Sequence, residues 1–185
     1  MSSLKMKILV VLFILFVVNI MNAKVLNTSL EATAKVLKQR NATTDNNFIV
    51  VAQDGSGNYL SIQDAINNCA AFPYKKTTIF IKNGTYKEKI RINEWNTNII
   101  LLGESKEETI ITYDDNFNKI GLGKNSTFYT YTLLVEANDI VLKNLTIENS
   151  SGDIGQAVAL SIFSDRVMVT NCKIVGNQDT LYASV

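Results

Sequence analysis

The residues best suited to chemistry lie near the C-terminal end of the chain. A carboxylate, Asp179, follows an amide, Gln178, in a polar segment just after Gly176. A second amide, Gln156, lies 22 positions before Gln178. A positioned aspartate can donate a proton and then accept one, and a glutamine amide can stabilise an oxyanion without carrying a charge. These residue types could serve acid/base catalysis, although the same residues are also typical of a plain polar turn.

The composition excludes several kinds of site. The 185 residues include no histidine, so a Ser-His-Asp triad, a Cys-His dyad and a histidine-ligated metal site cannot be built within this polypeptide. The 18 basic and 17 acidic residues give a formal net charge of +1, which offers no electrostatic case for a nucleic-acid partner. Chemistry must therefore come from carboxylates, amides, hydroxyls or lysine.

The N-terminal residues have the layout of a secretory signal peptide. Lys5 and Lys7 precede an uninterrupted apolar run over residues 8–18, and small or polar residues follow up to Ala23. This pattern predicts a signal peptide over residues 1–23, with an uncleaved membrane anchor as the alternative. We therefore expect a secreted protein, in the extracellular space, the cell wall or the periplasm, without stable membrane association once the signal is removed.

The rest of the chain divides into a polar arm and a folded domain. Residues 24–47 are polar and lack aromatic side chains, so they are predicted to form a linker or a loosely ordered arm. The domain comprises residues 48–185 and begins with a short apolar strand and a glycine-rich turn. Ser61 stands three residues before Asp64, as in a capping box, and apolar residues then recur at helical spacing. This predicts an amphipathic helix over residues 61–71.

After that helix the sequence changes to short runs rich in β-branched residues. Glycine or asparagine separates many of them, which is typical of strands joined by tight turns. The predicted strands are residues 77–81, 89–92, 98–102, 109–112, 131–136, 140–142, 145–147, 157–163, 167–169 and 172–175. Many short strands and one helix indicate an all-β domain.

The late strands repeat in register. Residues 139–149 align with residues 166–176 at an offset of 27, which places Asn144 on Asn171. Asparagine tolerates the left-handed conformation of a tight turn, and stacked coils of this kind bury ladders of aliphatic side chains. Residues 98–103 look like an earlier, less regular copy. We therefore predict a right-handed parallel β-helix, a solenoid with a short N-terminal capping α-helix, with a β-sandwich as the alternative.

A solenoid of this kind presents an extended groove along its stacked strands. Successive side chains, one per coil, can line up with successive units of a polymer. Thr127, Phe128, Tyr129 and Tyr131 could contact sugars, because aromatic faces pack against sugar rings and hydroxyls meet their polar edges. The alternative is that these aromatic side chains only cover a loop.

Several motifs occur in a recognisable order. The central ones are Gln156-Ala157-Val158-Ala159-Leu160, Ser164-Asp165, Cys172 and Gly176-Asn177-Gln178-Asp179-Thr180-Leu181-Tyr182. The earlier ones are Val51-Ala52-Gln53-Asp54-Gly55-Ser56-Gly57, Gly84-Thr85-Tyr86-Lys87-Glu88, Thr127-Phe128 and Asn144-Leu145-Thr146-Ile147-Glu148-Asn149. From about Phe48 to Tyr182, the chain resembles the pectin methylesterases (pectinesterases), a family of carbohydrate esterases.

The resemblance implies a β-helix that hydrolyses methyl esters of polygalacturonate and releases methanol, without a metal or an organic cofactor. Asp179 would be the general acid/base, which protonates the leaving methanol and then activates water. Gln178, with Gln156, would stabilise the oxyanion, and Gln156 and Thr127 would bind the substrate. The implied partner is methyl-esterified pectin (homogalacturonan), and we expect the protein to be a monomer.

The chain departs from this family in one respect that concerns the chemistry. The family's nucleophilic aspartate lies in a Val-Asp-Phe-Ile-Phe-Gly motif, and a Gly-Arg-Pro-Trp segment supplies the arginine that orients it. Neither motif occurs in these 185 residues. Because a lone acid/base supplies only part of the catalysis, we expect an inactive chain or a fragment, with an open apolar cross-section at the C-terminal end of the solenoid. Asp153 and Asp165 are the nearest other aspartates, and Asp165 is predicted to be a turn residue.

Two other functions stay open on the sequence alone. The first is a non-catalytic pectin-binding module that keeps the groove. The second is a β-helix polysaccharide lyase, which ranks last because such enzymes use calcium-binding carboxylate clusters and no such cluster is visible in the sequence.

Two smaller features complete the sequence. Cys69 and Cys172 are predicted to be unpaired and buried. Asn-X-Ser/Thr tripeptides, such as those at Asn83 and Asn125, would be glycosylated only in a eukaryotic secretory pathway.

Overall fold

A computed structural model describes Met21, Lys24 and residues 47–184 of the chain. The chain divides into two units at residue 41, and all the strands described lie in the second unit, residues 42–185. The predicted signal peptide and linker fall almost entirely outside the described residues. Within the described part of the chain, no helix is long and apolar enough to cross a membrane.

The described part of the second unit contains 13 strands, two short α-helices and one 3-10 helix. The strands are β1 (Phe48–Val51), β2 (Thr77–Ile81), β3 (Gly84–Lys87), β4 (Ile90–Ile92), β5 (Ile99–Gly103), β6 (Thr109–Tyr113), β7 (Leu133–Val135), β8 (Val141–Lys143), β9 (Thr146–Asn149), β10 (Leu160–Ile162), β11 (Met168–Thr170), β12 (Lys173–Val175) and β13 (Leu181–Ala183). The helices are α1 (Ile62–Asn67), α2 (Phe117–Ile120) and the 3-10 helix (Gly123–Tyr129).

The strands form three parallel sheets. Sheet 1 has the order β1-β2-β5-β8-β11, sheet 2 the order β12-β9-β6-β3 and sheet 3 the order β13-β10-β7-β4. From β2 onward, consecutive strands always belong to different sheets, so each coil adds one strand to each sheet and stacks on the coil before it. This architecture confirms the predicted parallel β-helix.

The two copies of the predicted repeat stack in the predicted register. Val141 pairs with Met168, which corresponds to the offset of 27. Asn144 and Asn171 have left-handed φ angles of 55° and 49°, as expected for a residue that tolerates this conformation. The Asn171 Nδ2 donates to the Asn144 Oδ1 at 2.9 Å. The aligned asparagines therefore form the turns and also link one coil to the next.

Helix α1 closes the N-terminal end of the solenoid. Its fully buried side chains are Ile62, Ala65 and Ile66. The Ser61 Oγ accepts from the Asp64 amide at 3.2 Å, which is the predicted N-cap. The Glu88 carboxylate accepts from the amides of Ile62 and Gln63, at 3.0 Å each, so a negative charge from a neighbouring coil lies at the positive end of the helix.

The helix is shorter than the predicted 61–71. It ends at Asn67 because the next residue, Asn68, turns its side chain back onto the backbone. The Asn68 Nδ2 donates to the Asp64 carbonyl at 2.8 Å. Asparagine side chains compete with the backbone for hydrogen bonds in this way, so asparagine is disfavoured at interior positions of helices.

The sequence pattern does not predict β3, β13, α2 or the 3-10 helix. Strand β3 begins at a glycine and β13 follows the polar segment at Gln178, so neither has a strong strand pattern of its own. Both pair along their length with a neighbouring coil, β3 with β6 and β13 with β10. Stacking on a neighbour therefore supplies the strand conformation that local propensity does not.

Exposure rises in the last described coil. The exposed fraction is 60% for Met168, 42% for Val169 and 56% for Leu181, whereas every aliphatic side chain of strands β1–β10 is buried or half-buried. Cys69 and Cys172 are unpaired, as predicted, and both are half-buried.

Candidate active site

A groove of about 930 Å³ lies over the outer face of sheet 3. One row of residues in register crosses this face, formed by Arg91, Leu134, Ser161 and Tyr182. Side chains alternate between the two faces of a strand, and Ile90 and Ile92, on either side of Arg91, are fully buried. The row therefore faces away from the core, and Arg91, Leu134 and Tyr182 of this row line the floor of the groove.

Aromatic side chains form much of the groove wall. They are Phe128, Tyr129, Tyr131, Phe163 and Tyr182. The Phe128 ring meets the Tyr182 ring edge-on, with centroids 5.4 Å apart, and the Phe163 ring lies 5.2 Å from Tyr182 on another side. Phe128 remains 42% exposed, so an aromatic face is free to pack against a ligand. Three of the four residues predicted to contact sugars thus line one groove.

Thr127 and Gln156 lie next to each other beside the groove. Thr127 lies within the 3-10 helix and immediately precedes Phe128. Its Oγ1 donates to the Gln156 Oε1 at 3.3 Å, and both residues are half-buried. The Gln156 carbonyl accepts from the Phe117 amide at 2.9 Å, which ties Gln156 to the start of α2. The two residues predicted to bind substrate are therefore in direct contact.

Gln178 and Asp179 lie one coil further along. The Gln178 carbonyl accepts from the Ala157 amide at 3.0 Å, so the backbone of the polar segment stacks on the residue that follows Gln156. Asp179 has a left-handed φ of 58°. The side chains of Gln178 and Asp179 are exposed and are not part of the groove wall, which Tyr182 joins three residues later. Thr127 and Gln156 are therefore in contact, and the Gln178–Asp179 segment stacks by its backbone on the residue that follows Gln156.

The segment that carries Thr127 is a long loop, residues 114–132, between β6 and β7. Lys89, just before β4, joins the two ends of this loop. Its Nζ donates to the Asp115 Oδ2 at 2.6 Å and to the Tyr129 carbonyl at 2.6 Å. It also lies 4.9 Å from the centroid of the Tyr131 ring, a cation–π distance. Lys89 thereby holds the loop against sheet 3.

Asp115 has an environment that keeps it ionised. The residue is only 7% exposed, and Lys119 Nζ lies 2.9 Å from its second carboxylate oxygen. Burial alone would raise the pKa of Asp115, but the hydrogen bonds from Lys89 and Lys119 outweigh it and hold the pKa below the usual value for aspartate. The Asp115 carboxylate at the base of the loop is therefore shielded from water, although Lys119, one of its two cationic partners, is 49% exposed.

Asn149 is a second residue that holds the same loop in place by hydrogen bonds. Its side chain is 3% exposed, and Nδ2 lies within hydrogen-bond distance of three backbone carbonyls. These are Asp115 at 2.8 Å, Thr130 at 2.9 Å and Val158 at 3.1 Å. Asn149 thus connects both ends of the loop with the segment that follows Gln156.

Sequence reasoning did not identify Lys89, Asp115 or the role of Asn149. The partners of Lys89 lie 26 and 40 positions away in the chain, so no local spacing pattern relates them. Asn149 occurs in a motif that the family resemblance rests on, and this was the only signal that could have drawn attention to it.

The floor of the groove carries a further ion pair that the sequence did not indicate. Arg91 donates to both carboxylate oxygens of Glu136, at 2.6 and 3.0 Å. This bidentate geometry is the strongest form of such a pair, and the hydrogen bonds that Arg91 donates to Glu136 raise the pKa of Arg91. The groove therefore offers fixed polar groups beside its aromatic wall.

No other carboxylate contacts Asp179 within the described residues. Asp153 and Asp165 are both exposed, and the Asp165 amide donates to the Asn138 Oδ1 at 2.9 Å in a turn between coils. Among the described residues, no group of three acidic or cysteine side chains is placed to hold a metal ion. The four predicted site residues, Thr127, Gln156, Gln178 and Asp179, thus supply one carboxylate, two amides and one hydroxyl.

Comparison with known proteins identifies the family. A family model described as pectinesterase matches residues 48–185. The chain is 42% identical over 167 residues to a pectinesterase of Petunia integrifolia, covering 88% of this chain and 42% of that protein. It is 40% identical over 134 residues to a probable pectinesterase/pectinesterase inhibitor of Arabidopsis thaliana, covering 72% of this chain and 23% of that protein.

Solved structures agree with the sequence matches. Carrot pectin methylesterase has a TM-score of 0.69 at 32% identity, covering 75% of this chain and 42% of that one. A pectin methylesterase of Erwinia chrysanthemi has a TM-score of 0.66 at 29% identity, covering 76% and 46%. A pectin methylesterase in complex with a hexasaccharide has a TM-score of 0.64 at 31% identity, covering 76% and 46%.

The chain spans less than half the length of these relatives. Within that span, the family match, the relatives' sequences and the parallel β-helix all agree with the resemblance carried by the sequence motifs. The chain belongs to the pectinesterase family.

Proposed function

We propose that this chain acts on methyl-esterified pectin and supplies the acid/base and oxyanion-binding part of a pectin methylesterase site. One observation carries the proposal. Thr127 donates to Gln156 next to Phe128 of the aromatic groove, and the Gln178 carbonyl accepts from the amide of Ala157, the residue after Gln156. The relatives are named as pectinesterases, and one related structure holds a hexasaccharide, which supports a sugar polymer as the ligand.

Each residue has a role that its chemistry permits. A nucleophilic carboxylate, which these 185 residues do not supply, would add to the acyl carbon and form a tetrahedral intermediate. As the bond from the acyl carbon to the methoxy oxygen breaks, Asp179 gives its proton to that oxygen, methanol leaves and the acyl group stays on the nucleophile. Water then adds to the acyl carbon while Asp179 takes its proton, and the bond to the nucleophile breaks to release a free carboxylate. The amides of Gln178 and Gln156 donate to the oxyanion that forms on the carbonyl oxygen, while Thr127 holds the substrate.

The groove suits the polymer rather than a single sugar. Its aromatic wall and its row of side chains, one per coil, follow the axis of the solenoid, so consecutive galacturonate units can contact consecutive coils. The Arg91–Glu136 pair gives fixed hydrogen-bonding groups at one end. We also propose that residues 1–23 act as a signal peptide, that residues 24–47 form a linker and that residues 48–185, the pectinesterase domain, act outside the cell.

Binding to pectin is the direct test. The affinity of the full chain for methyl-esterified oligogalacturonate can be measured by calorimetry for the wild type and for Phe128→Ala. We expect Phe128→Ala to bind about tenfold more weakly, equivalent to about 1.4 kcal/mol, because it removes an exposed aromatic face of the groove. Tyr74→Ala is the control, since Tyr74 is fully exposed and is not part of the groove wall. No binding by the wild type would contradict the proposal.

A non-catalytic pectin-binding module is the second candidate. It is favoured by the absence of another carboxylate beside Asp179 among the described residues, whereas the aromatic wall of the groove is well formed. Methanol release from methylated pectin, by the wild type and by Asp179→Asn, separates the two candidates. In a chain extended by the nucleophile-bearing coils of a relative, turnover that Asp179→Asn abolishes indicates an enzyme, whereas binding without turnover, unaffected by Asp179→Asn, indicates the module. We expect no detectable turnover by these 185 residues, because they contain no motif for the nucleophilic aspartate.

A further inference from the structure

The groove wall contains a potential modification site. Asn125 lies on that wall and begins the tripeptide Asn125-Ser126-Thr127. This tripeptide has the Asn-X-Ser/Thr pattern that is recognised for N-glycosylation in secreted proteins. The same short segment therefore carries a candidate acceptor for a glycan and the residue proposed to hold the substrate, Thr127.

The structure separates this tripeptide from the others in the described residues, which begin at Asn83, Asn144 and Asn149. The Asn149 side chain is buried and binds three carbonyls, so a glycan there is incompatible with the fold. The Asn144 side chain is half-buried and accepts from Asn171 in the stacked turns.

Asn83 and Asn125 are both exposed, but their amides differ. The Asn83 Nδ2 donates to the Glu108 Oε2 at 2.8 Å, and its Oδ1 accepts from the Thr109 Oγ1 at 3.0 Å. The Asn125 side chain makes no hydrogen bond or ion pair with other described residues. A glycan on Asn125 therefore breaks no native contact, whereas one on Asn83 has to be accommodated beside two hydrogen bonds.

We infer that Asn125 is an N-glycosylation site and that its glycan covers the groove. The inference rests on the proposed secretion and pectin binding. In the transfer, the Asn125 Nδ2 forms a bond to C1 of the first sugar of a lipid-diphosphate-linked oligosaccharide. The bond between C1 and the diphosphate oxygen breaks, the amide loses one proton and the lipid diphosphate leaves.

A tethered glycan competes with the polymer for the same space. An oligosaccharide attached at the wall has an effective concentration in the groove on the order of millimolar. The aromatic faces that would pack against pectin also pack against the sugars of the glycan. The modified chain therefore binds pectin more weakly than the unmodified chain, and glycosylation sets how much of the secreted protein is available to the polymer.

The test uses the full chain secreted from a eukaryotic host, as wild type, Asn125→Gln and Asn83→Gln. Glycopeptide mass spectrometry gives the occupancy of each acceptor, and calorimetry gives the affinity for methyl-esterified oligogalacturonate. We expect occupancy at Asn125 in the wild type and about tenfold tighter binding by Asn125→Gln. Asn83→Gln should bind like the wild type, because Asn83 is not part of the groove wall. Enzymatic deglycosylation should raise the affinity of the wild type and leave that of Asn125→Gln unchanged.

Two results would overturn the inference. An unmodified Asn125 in a chain that carries a glycan at another acceptor would rule out the site. Equal affinities before and after deglycosylation would rule out the covering of the groove. If unglycosylated protein made in bacteria also fails to bind, the proposed function is wrong and the covering role fails with it, whereas the glycopeptide result still decides whether Asn125 is modified.

Discussion

The middle and the last described coils of the solenoid contain equivalent rows of aliphatic side chains but bury them differently. In sheet 1, Leu101 pairs with Leu142, and Leu142 pairs with Val169. Leu101 and Leu142 are fully buried, whereas Val169 is 42% exposed. The three side chains are similar in kind, so the difference comes from what lies on either side of them. Coils cover Leu101 and Leu142 from both directions, while no described residue stacks beyond Val169.

This difference extends to the candidate active site. Thr127 and Gln156 are half-buried and held by the middle coils, through Lys89, Asn149 and their hydrogen bonds. Gln178 and Asp179 lie in the last coil and are exposed. The residues proposed to bind substrate are therefore half-buried on the middle coils, and the proposed acid/base is exposed on the last described coil. The predictions below test this contrast, starting with the largest effect.

Core truncation should separate the two regions most clearly. Leu101→Ala is expected to lower the free energy of unfolding by about 3 kcal/mol, because it leaves a cavity among fully buried side chains. Val169→Ala, in the same row, is expected to lower it by less than about 1 kcal/mol, because its site is already open to water. Urea unfolding followed by circular dichroism measures both. Equal losses would mean that Val169 is as well covered as Leu101.

Asn149 and Asn171 should also differ, with the larger loss of unfolding free energy when the buried residue, Asn149, is replaced. Asn149→Ala removes a buried amide donor from the Asp115 and Thr130 carbonyls and is expected to lower the free energy of unfolding by about 2 kcal/mol. Asn171→Ala, in the last coil, removes two hydrogen bonds at an exposed site, to Asn144 and from Lys106, and is expected to cost about 1 kcal/mol. Hydrogen exchange at the Thr130 and Val158 amides offers a second measurement, since only Asn149→Ala should speed it. A larger effect from Asn171→Ala would contradict the contrast.

The ion pair between Lys89 and Asp115, at the base of the loop 114–132, should contribute more to the free energy of unfolding than an ion pair on the surface. Lys89→Met is expected to lower the free energy of unfolding by about 1.5 kcal/mol, because it leaves a buried carboxylate with one cation fewer. It should also speed tryptic cleavage after Lys124, which lies in the loop that Lys89 closes. Arg166→Met removes the bidentate pair with Asp139 in the turns between the last coils, and we expect no measurable change, as for most exposed ion pairs.

A matched control separates the effect of the Lys89 contacts from the effect of losing one positive charge. Lys87→Met removes the same charge two residues away, where the lysine lies 3.7 Å from Asp114 and is largely exposed. It should leave both the unfolding free energy and the cleavage rate near those of the wild type. If Lys87→Met matched Lys89→Met, the effect would come from net charge rather than from closure of the loop.

The smallest expected effect is on the dependence of stability on pH. The pKa of Asp115 is lower in the fold than its unfolded value of about 3.9. The stabilisation by its charge is therefore fully present above that value and is lost as the pH falls through the lower native pKa. Unfolding free energies measured between about pH 5 and pH 2 should fall less steeply in Asp115→Asn than in the wild type.

Added salt should affect the contributions of Asp115 and Asp139 to the acid dependence of stability differently. The hydrogen bond from Arg166 also lowers the pKa of Asp139, but this pair is exposed and is screened by ions. Added salt of about 1 M should therefore remove the contribution of Asp139 to the acid dependence and leave most of that of Asp115. A complete loss at high salt would show that the Asp115 carboxylate is open to water.

Part of the fold was predictable because it depends on neighbouring residues. The alternation of short β-branched runs with asparagine turns predicted most of the strands, and the offset of 27 predicted how β8 and β11 stack. The earlier coils were harder because their lengths differ. Thr146 pairs with Ile110 and Val141 with Ile100, offsets of 36 and 41 that no repeat in the sequence reveals. Long loops, above all residues 114–132, make up these differences.

By itself, the sequence determined the coil pattern, the tight asparagine turns and the residue types able to do chemistry, including Asp179 and its neighbouring amide. These follow from local backbone preference and from residue identity. Only the tertiary structure decided that Thr127 touches Gln156, that Lys89 closes the loop and that the last coil is exposed. Those facts depend on which coils stack on which, and stacking joins residues that are distant in the chain. The burial and the contacts of a residue depend on which coil stacks on it as well as on its own side chain.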